Sequence, residues 1–106
     1  MNTLTASVAS EPSQHKQTYS GKTTKDYPVN SLTAQIGRTI RRLRENKDLN
    51  QTQLSAMSYI ANGHLSNIET GQKNISAFNI ECLCAGLGIT TLEFYQELCI
   101  TIEKGW

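Results

Sequence analysis

The chain has 106 residues, with Lys+Arg 10 against Asp+Glu 9 and a formal net charge of +1. At roughly 100–200 residues per domain this is one domain with room for a tail, too small for a multi-step enzyme. No apolar run approaches the roughly 18 residues of a membrane span, and the start lacks the charged and apolar blocks of a secretory signal. A cytoplasmic binding module with no membrane partner is the expectation. Cys82, Cys84 and Cys99 are an odd set without CxxC spacing, which argues against a disulfide framework, a zinc site or any other metal or cofactor.

The near-neutral total hides a gradient. Residues 36–74 carry Arg38, Arg41, Arg42, Arg44, Lys47 and Lys73 against Glu45, Asp48 and Glu69. Residues 75–106 carry Lys104 against Glu81, Glu93, Glu97 and Glu103. A basic middle before an acidic end can turn one positive face to a polyanion. The plainer reading of Arg38, Arg41 and Arg42 is a solvated helix face, with Arg41 pairing to Glu45 at i, i+4.

Residues 1 to about 30 are rich in Ser, Thr, Gln and Lys, and their few apolar residues follow no period. Such a segment buries too little surface to offset its ordering entropy, so a disordered tail is expected, with the folded domain over 31–106. Leu32, Ile36, Ile40 and Leu43 then form one stripe of a first helix. Asn50 with Gln53 makes a capping box that opens a second helix carrying Leu54 and Met57. Leu65 and Ile68 mark a short third helix ended by Gly71. Ser76 caps a fourth helix, with Ile80, Leu83, Cys84 and Leu87 inward and Gly88 as its stop. Thr90 with Glu93 opens a fifth through Leu92, Tyr95, Leu98 and Ile102. No alternating β-branched run argues for a strand, so the fold class is all-α, a compact domain of five helices.

Helices two and three, joined by a tight turn, describe a helix-turn-helix, in which the second helix offers its N-terminal side chains to base edges. Ser55 and Ser58 supply the small residues needed where the two helices touch. The spacing Ile36-Gly37-x-x-Ile40-Arg41-x-Leu43-Arg44-Glu45, then Leu49-Asn50-Gln51-x-Gln53-Leu54-Ser55, is followed by Ile60-x-x-x-x-Leu65-Ser66-x-Ile68-Glu69-x-Gly71-x-x-Asn74. With Leu87-Gly88-Ile89 further on, residues 36–95 resemble the phage repressor/Cro class of helix-turn-helix regulators, whose fold is lambda-repressor-like. Asn74-Ile75-Ser76-x-x-Asn79-Ile80-Glu81 more weakly resembles the controller proteins of restriction-modification systems.

The resemblance implies roles position by position. Asn50 and Gln51 at the start of helix two would hold DNA phosphate, joined by Thr70, Lys73 and Asn74 past helix three. Asn62, Gly63, His64, Ser66 and Asn67 fall at the base-reading positions. Arg44 and Glu69 take the places of a largely buried ion pair. The sequence departs from the family at Tyr59, where a turn glycine is usual, and at Ala61, where a cap is usual. Asn62 is expected to take over as cap one residue later, and Gly63 brings no side chain to a base. Leu98, Ile100, Ile102 and Trp106 leave the last helix apolar on more than one side, an interface signal read as a dimer contact through Leu98, Ile102 and Trp106; the plainer reading is a helix folded back on the core.

The function expected is a homodimeric, sequence-specific transcriptional regulator that binds double-stranded DNA at a pseudo-palindromic operator. Two alternatives stand beside it: an antitoxin whose tail wraps a protein partner, and a protein-interaction module that has lost DNA binding. Catalysis has no support, because His64 stands without a second ligand or triad partner at suitable spacing. Cys82 and Cys84 read as a semi-exposed and a core thiol, with a redox switch as the alternative.

Overall fold

The structure, a computed structural model, describes residues 27–106. Five helices follow one another: α1 (Leu32–Asn46), α2 (Gln51–Ser58), α3 (Asn62–Glu69), α4 (Ala77–Leu87) and α5 (Thr91–Lys104). Among the described residues there is no strand, as the patterning predicts. The expected tail lies outside the described residues as far as residue 26. Tyr27 to Asn30, counted with it, are held against the domain. The Tyr27 N–H donates to the Gly71 carbonyl at 3.1 Å, and Arg38 Nη1 donates to the Val29 carbonyl at 2.9 Å.

The helix boundaries follow from short polar side chains that satisfy otherwise unpaired N–H groups. Ser31 accepts from the Ala34 N–H at 3.1 Å and Ser76 from that of Asn79 at 3.1 Å. Asn50 with Gln53, and Thr90 with Glu93, close both halves of their capping boxes. Helix α3 breaks the pattern. Ala61 is its N-cap and makes no side-chain bond, and Asn62 is the first helical residue rather than the cap. The Asn62 amide instead reaches across to Thr52 Oγ1 at 3.1 Å. Gly71 and Gly88 adopt positive φ as expected, and so does Tyr59 at φ 60. Its ring, 95% exposed, makes up none of the strain of a left-handed residue that carries a Cβ.

One core gathers Ile36, Ile40 and Leu43 of α1, Leu54 of α2, Leu65 and Ile68 of α3, four residues of α4, and Phe94 and Leu98 of α5. Leu32 and Met57, expected inside, are exposed at the ends of their helices. The larger correction is on α5, where Phe94, Leu98 and Thr101 point inward while Leu92, Tyr95 and Ile102 are exposed. Leu98 is 6% exposed, so it belongs to the protomer's own core and not to a contact between copies. Helix α1 packs so tightly on α3 that a Cβ at Gly37 would lie 2.1 Å from the Ile68 carbonyl oxygen. The small residues of α2 work differently from expectation. Ser58 faces Gly86 of α4, whose added Cβ would stand 3.1 Å from Ser58 Cβ, while the Ser55 hydroxyl donates to the Ile60 carbonyl. Among the described residues, no single helix is long and apolar enough to cross a membrane.

Candidate nucleic-acid interface

On helix α3 Asn62 and Gly63 are exposed, and His64, Ser66 and Asn67 are half-buried. Its opposite side buries Leu65 and Ile68, so the expected base-reading residues fall on and around the outer face. Around Gly63 there is open space. His64 differs from a simple surface residue, because its Nε2 is buried without a hydrogen-bond partner. That orientation takes part of the ring away from any ligand lying along the helix.

The start of α2 is fixed to α3 through one carboxylate. Arg44 donates to Glu69 in a fork, Nε to Oε2 at 2.7 Å and Nη2 to Oε1 at 2.9 Å, and both residues are buried. Gln51 Nε2 donates to the same Oε1 at 2.9 Å. Arg44 Nη1 also donates to the Leu49 carbonyl at 2.8 Å, which ties the chain entering α2. These bonds to Glu69 raise the Arg44 pKa against the opposing effect of burial. Such a fork is directional, so it sets how α3 sits on α1, and the Gln51 bond to the same carboxylate ties in the start of α2.

The remaining phosphate candidates cluster after α3. Thr70 Oγ1 donates back to the Ser66 carbonyl at 3.0 Å. Asn74 Oδ1 accepts from the Ile75 N–H at 3.0 Å and from Thr33 Oγ1 at 3.4 Å, which pins this loop to α1. Lys73 is exposed. Neither α2 nor α3 has an acidic residue of its own in its first turn to offset the positive end of its dipole. Thr52 and Thr33 are contributors that the sequence did not single out, since nothing in their spacing points to partners on other elements.

The arginines of α1 do not make the positive face that the charge gradient suggested. Arg42 lies on α5, with Nη1 to Glu97 Oε1 at 2.7 Å, Nη2 to the Glu97 carbonyl at 3.0 Å and Nη2 to Thr101 Oγ1 at 2.9 Å. Its guanidinium carbon sits 5.0 Å from the centre of the Trp106 ring. Arg38 donates to the Val29 carbonyl and to the main-chain oxygen of Trp106. Arg41 pairs with Glu45 at 3.0 Å, as the spacing predicts. From residue 51 to residue 76 the only Lys or Arg is Lys73.

Among the described residues no group of His, Cys, Asp and Glu is arranged to hold a metal. Cys84 is buried and Cys82 half-buried, and burial, aided by Glu81, pushes the Cys84 thiol pKa up. A neutral buried thiol is a packing group.

Two short helices around a tight turn, the second exposing its outer face and both braced by a third, define a helix-turn-helix domain. Residues 40–94 match the family described as Helix-turn-helix, and the chain belongs to it, in the Cro/C1-type branch. Control protein C.MunI of a Mycoplasma species is 34% identical over 71 residues, which span 66% of this chain and 96% of that protein. The crystal structure of the wild-type restriction-modification controller protein C.Esp1396I superimposes with a TM-score of 0.67 at 25% identity, covering 69% of this chain and 95% of that one. The restriction-modification controller protein C.AhdI from Aeromonas hydrophila gives 0.57 at 32% identity, over 58% of this chain and 94% of its own. The chain is a helix-turn-helix transcriptional regulator of the controller-protein kind.

Proposed function

We propose that the protein binds double-stranded DNA in the cytoplasm as a homodimer, recognises a pseudo-palindromic operator and regulates the genes beside it. The fixed meeting of α2 and α3 through Gln51, Glu69 and Arg44 carries this reading most directly. It holds the N-terminus of one helix for phosphate while the other enters the groove. In this reading Asn50, Gln51, Thr70, Lys73 and Asn74 set the register on the backbone. Asn62, His64, Ser66 and Asn67 reach base edges, and Gly63 lets the duplex approach closely. With one Asn62 amide hydrogen used on Thr52, its oxygen and second N–H remain for an adenine edge.

The dimer contact is best supplied by the exposed stripe Leu92, Tyr95, Cys99 and Ile102 on α5, with Trp106 at its end. These positions recur on one side of the helix, and Leu98 has left the set. A twofold axis along this stripe would carry two recognition helices to successive major grooves, about 34 Å apart. The controller proteins to which the chain is similar suggest that the regulated genes include those of a restriction-modification system.

Selection of bound sites from a random duplex library at about 0.15 M salt, where nonspecific binding is already weakened, tests the whole reading. A twofold-symmetric motif with half-sites one helical turn apart is the expected result, and no enrichment would overturn it. Gln51→Ala should weaken binding to every sequence alike, whereas Asn67→Ala should change the selected bases at one position of each half-site. Discrimination worth about 1–3 kcal/mol is at stake there.

A further inference from the structure

The three arginines that make no open positive face on α1 are gathered in another way. Arg38, Arg41 and Arg42 stand at i, i+3 and i+4, with Glu45 at i+7, so all four share one side of the helix. That side is one wall of a cleft of about 230 Å³, which Glu69 of α3 and Trp106 complete. Pockets for drug-sized molecules run to roughly 300–1,000 Å³, so this cleft suits a smaller occupant.

Donors remain on all three arginines. Arg42 gives both terminal nitrogens to Glu97 and Thr101, yet its Nε is buried with no hydrogen-bond partner among the described residues. A buried N–H in that condition is uncommon, and a ligand oxygen would offset its desolvation. Arg41 uses only Nε, on Glu45 Oε2, and its side chain is 59% exposed. Arg38 spends Nε and Nη1 on main-chain oxygens and keeps Nη2. Three guanidiniums around one small volume fit an oxyanion, which arginine holds through several charge-assisted bonds. The two acids narrow the choice. Glu69 is occupied by Arg44 and Gln51, whereas Glu45 Oε1 accepts no hydrogen bond among the described residues. An ionised carboxylate is acceptor-only, so it repels an oxyanion without a proton and bonds to one that carries an O–H. Near neutral pH inorganic phosphate keeps a proton and sulfate has none.

We propose that the cleft between α1 and Trp106 binds inorganic phosphate, held by Arg38, Arg41 and the Arg42 Nε and selected over proton-free oxyanions by Glu45. Arg42 and Trp106 both belong to the contact between α1 and α5, so an occupant fastens the last helix and stabilises the folded chain by mass action. The site does not rest on the DNA-binding reading, and no residue assigned above to bases or to the DNA backbone lines it.

Isothermal titration calorimetry of the full chain tests this with three probes: inorganic phosphate, sulfate and a nucleoside monophosphate. Ionic strength is held constant with chloride, at about pH 7.5, where the monoester has lost both protons. Phosphate should bind saturably and about tenfold more tightly than sulfate or the monoester. Arg41→Gln should weaken phosphate about tenfold, and Arg41→Lys should regain part of the loss. The exposure of Arg41 keeps the fold out of question in both variants. Glu45→Gln should remove the preference, raising sulfate affinity about tenfold while phosphate changes little. A damaged fold would not produce that gain. A monoester that equals phosphate overturns selection by Glu45 and with it the assignment to the free ion. Equal, non-saturating responses to phosphate and sulfate overturn the site. So does phosphate affinity indifferent to Arg41→Gln, or a short oligoglutamate that binds where phosphate does not.

Discussion

Two arginines two residues apart on α1 build two different seams. Arg44 turns toward α3, where it is 8% exposed and meets a carboxylate that is 4% exposed, in a two-pronged bond. Arg42 turns toward α5, where Glu97 is only half-buried and the other partners are a carbonyl, a hydroxyl and an indole ring. The first seam is buried and governs how α3 sits on α1, with Gln51 of α2 joined to the same carboxylate. The second is wetter, spreads its bonds over several groups, and holds the C-terminal helix to the bundle. Charge type and helix position are nearly the same, so burial of the partner is what separates a geometric lock from a fastening.

Breaking the lock should have the largest effect. Glu69→Ala leaves the Arg44 guanidinium buried without its carboxylate and releases Gln51, at a cost of about 3–5 kcal/mol. Urea unfolding should read this as a lowered midpoint, and a loss below about 1 kcal/mol would place the two seams on an equal footing. The fastening should be weaker. Arg42→Met keeps most of the stem packing and loses a pair whose acid is partly solvated, so about 1 kcal/mol is expected. Operator binding per folded molecule should survive this change and fall sharply in Glu69→Ala. The smallest effect lies outside both seams. Gly63→Ala places a methyl in open space on α3 and should raise stability by roughly 0.5–1 kcal/mol through helix propensity alone. Thermal unfolding would detect the rise, and a fall would mean that the α3 backbone at this point is not the helix described.

The two seams were unequally legible in the sequence. Arg44 and Glu69 could be paired because a family resemblance placed them. From the sequence Arg42 reads as solvated, since Glu97 and Thr101 lie 55 and 59 residues away and no local pattern joins them. Local rules did well where the physics is local. Both capping boxes, the cap at Ser76, and the positive φ at Gly71 and Gly88 are where short-range chemistry puts them. They failed when a face had to be chosen. On α5 the Leu92, Tyr95, Ile102 side and the Phe94, Leu98, Thr101 side are both rich in bulky groups. Only the arrival of α1, with Thr39 and Thr101 hydroxyls 2.6 Å apart, decides which one is inside. Asn62 is not the cap of α3 for a similar reason, since its amide is taken by Thr52 of another helix.

The chain has one tryptophan, and that residue rests on Arg42 and Lys104 at the α1–α5 seam. Its fluorescence is therefore a local gauge of whether the last helix is docked, blind to the recognition helices. Circular dichroism sums all five helices. If the two signals trace superimposable denaturation curves, the seams melt as one cooperative unit. If the emission changes first, α5 detaches while the helix-turn-helix half is still folded.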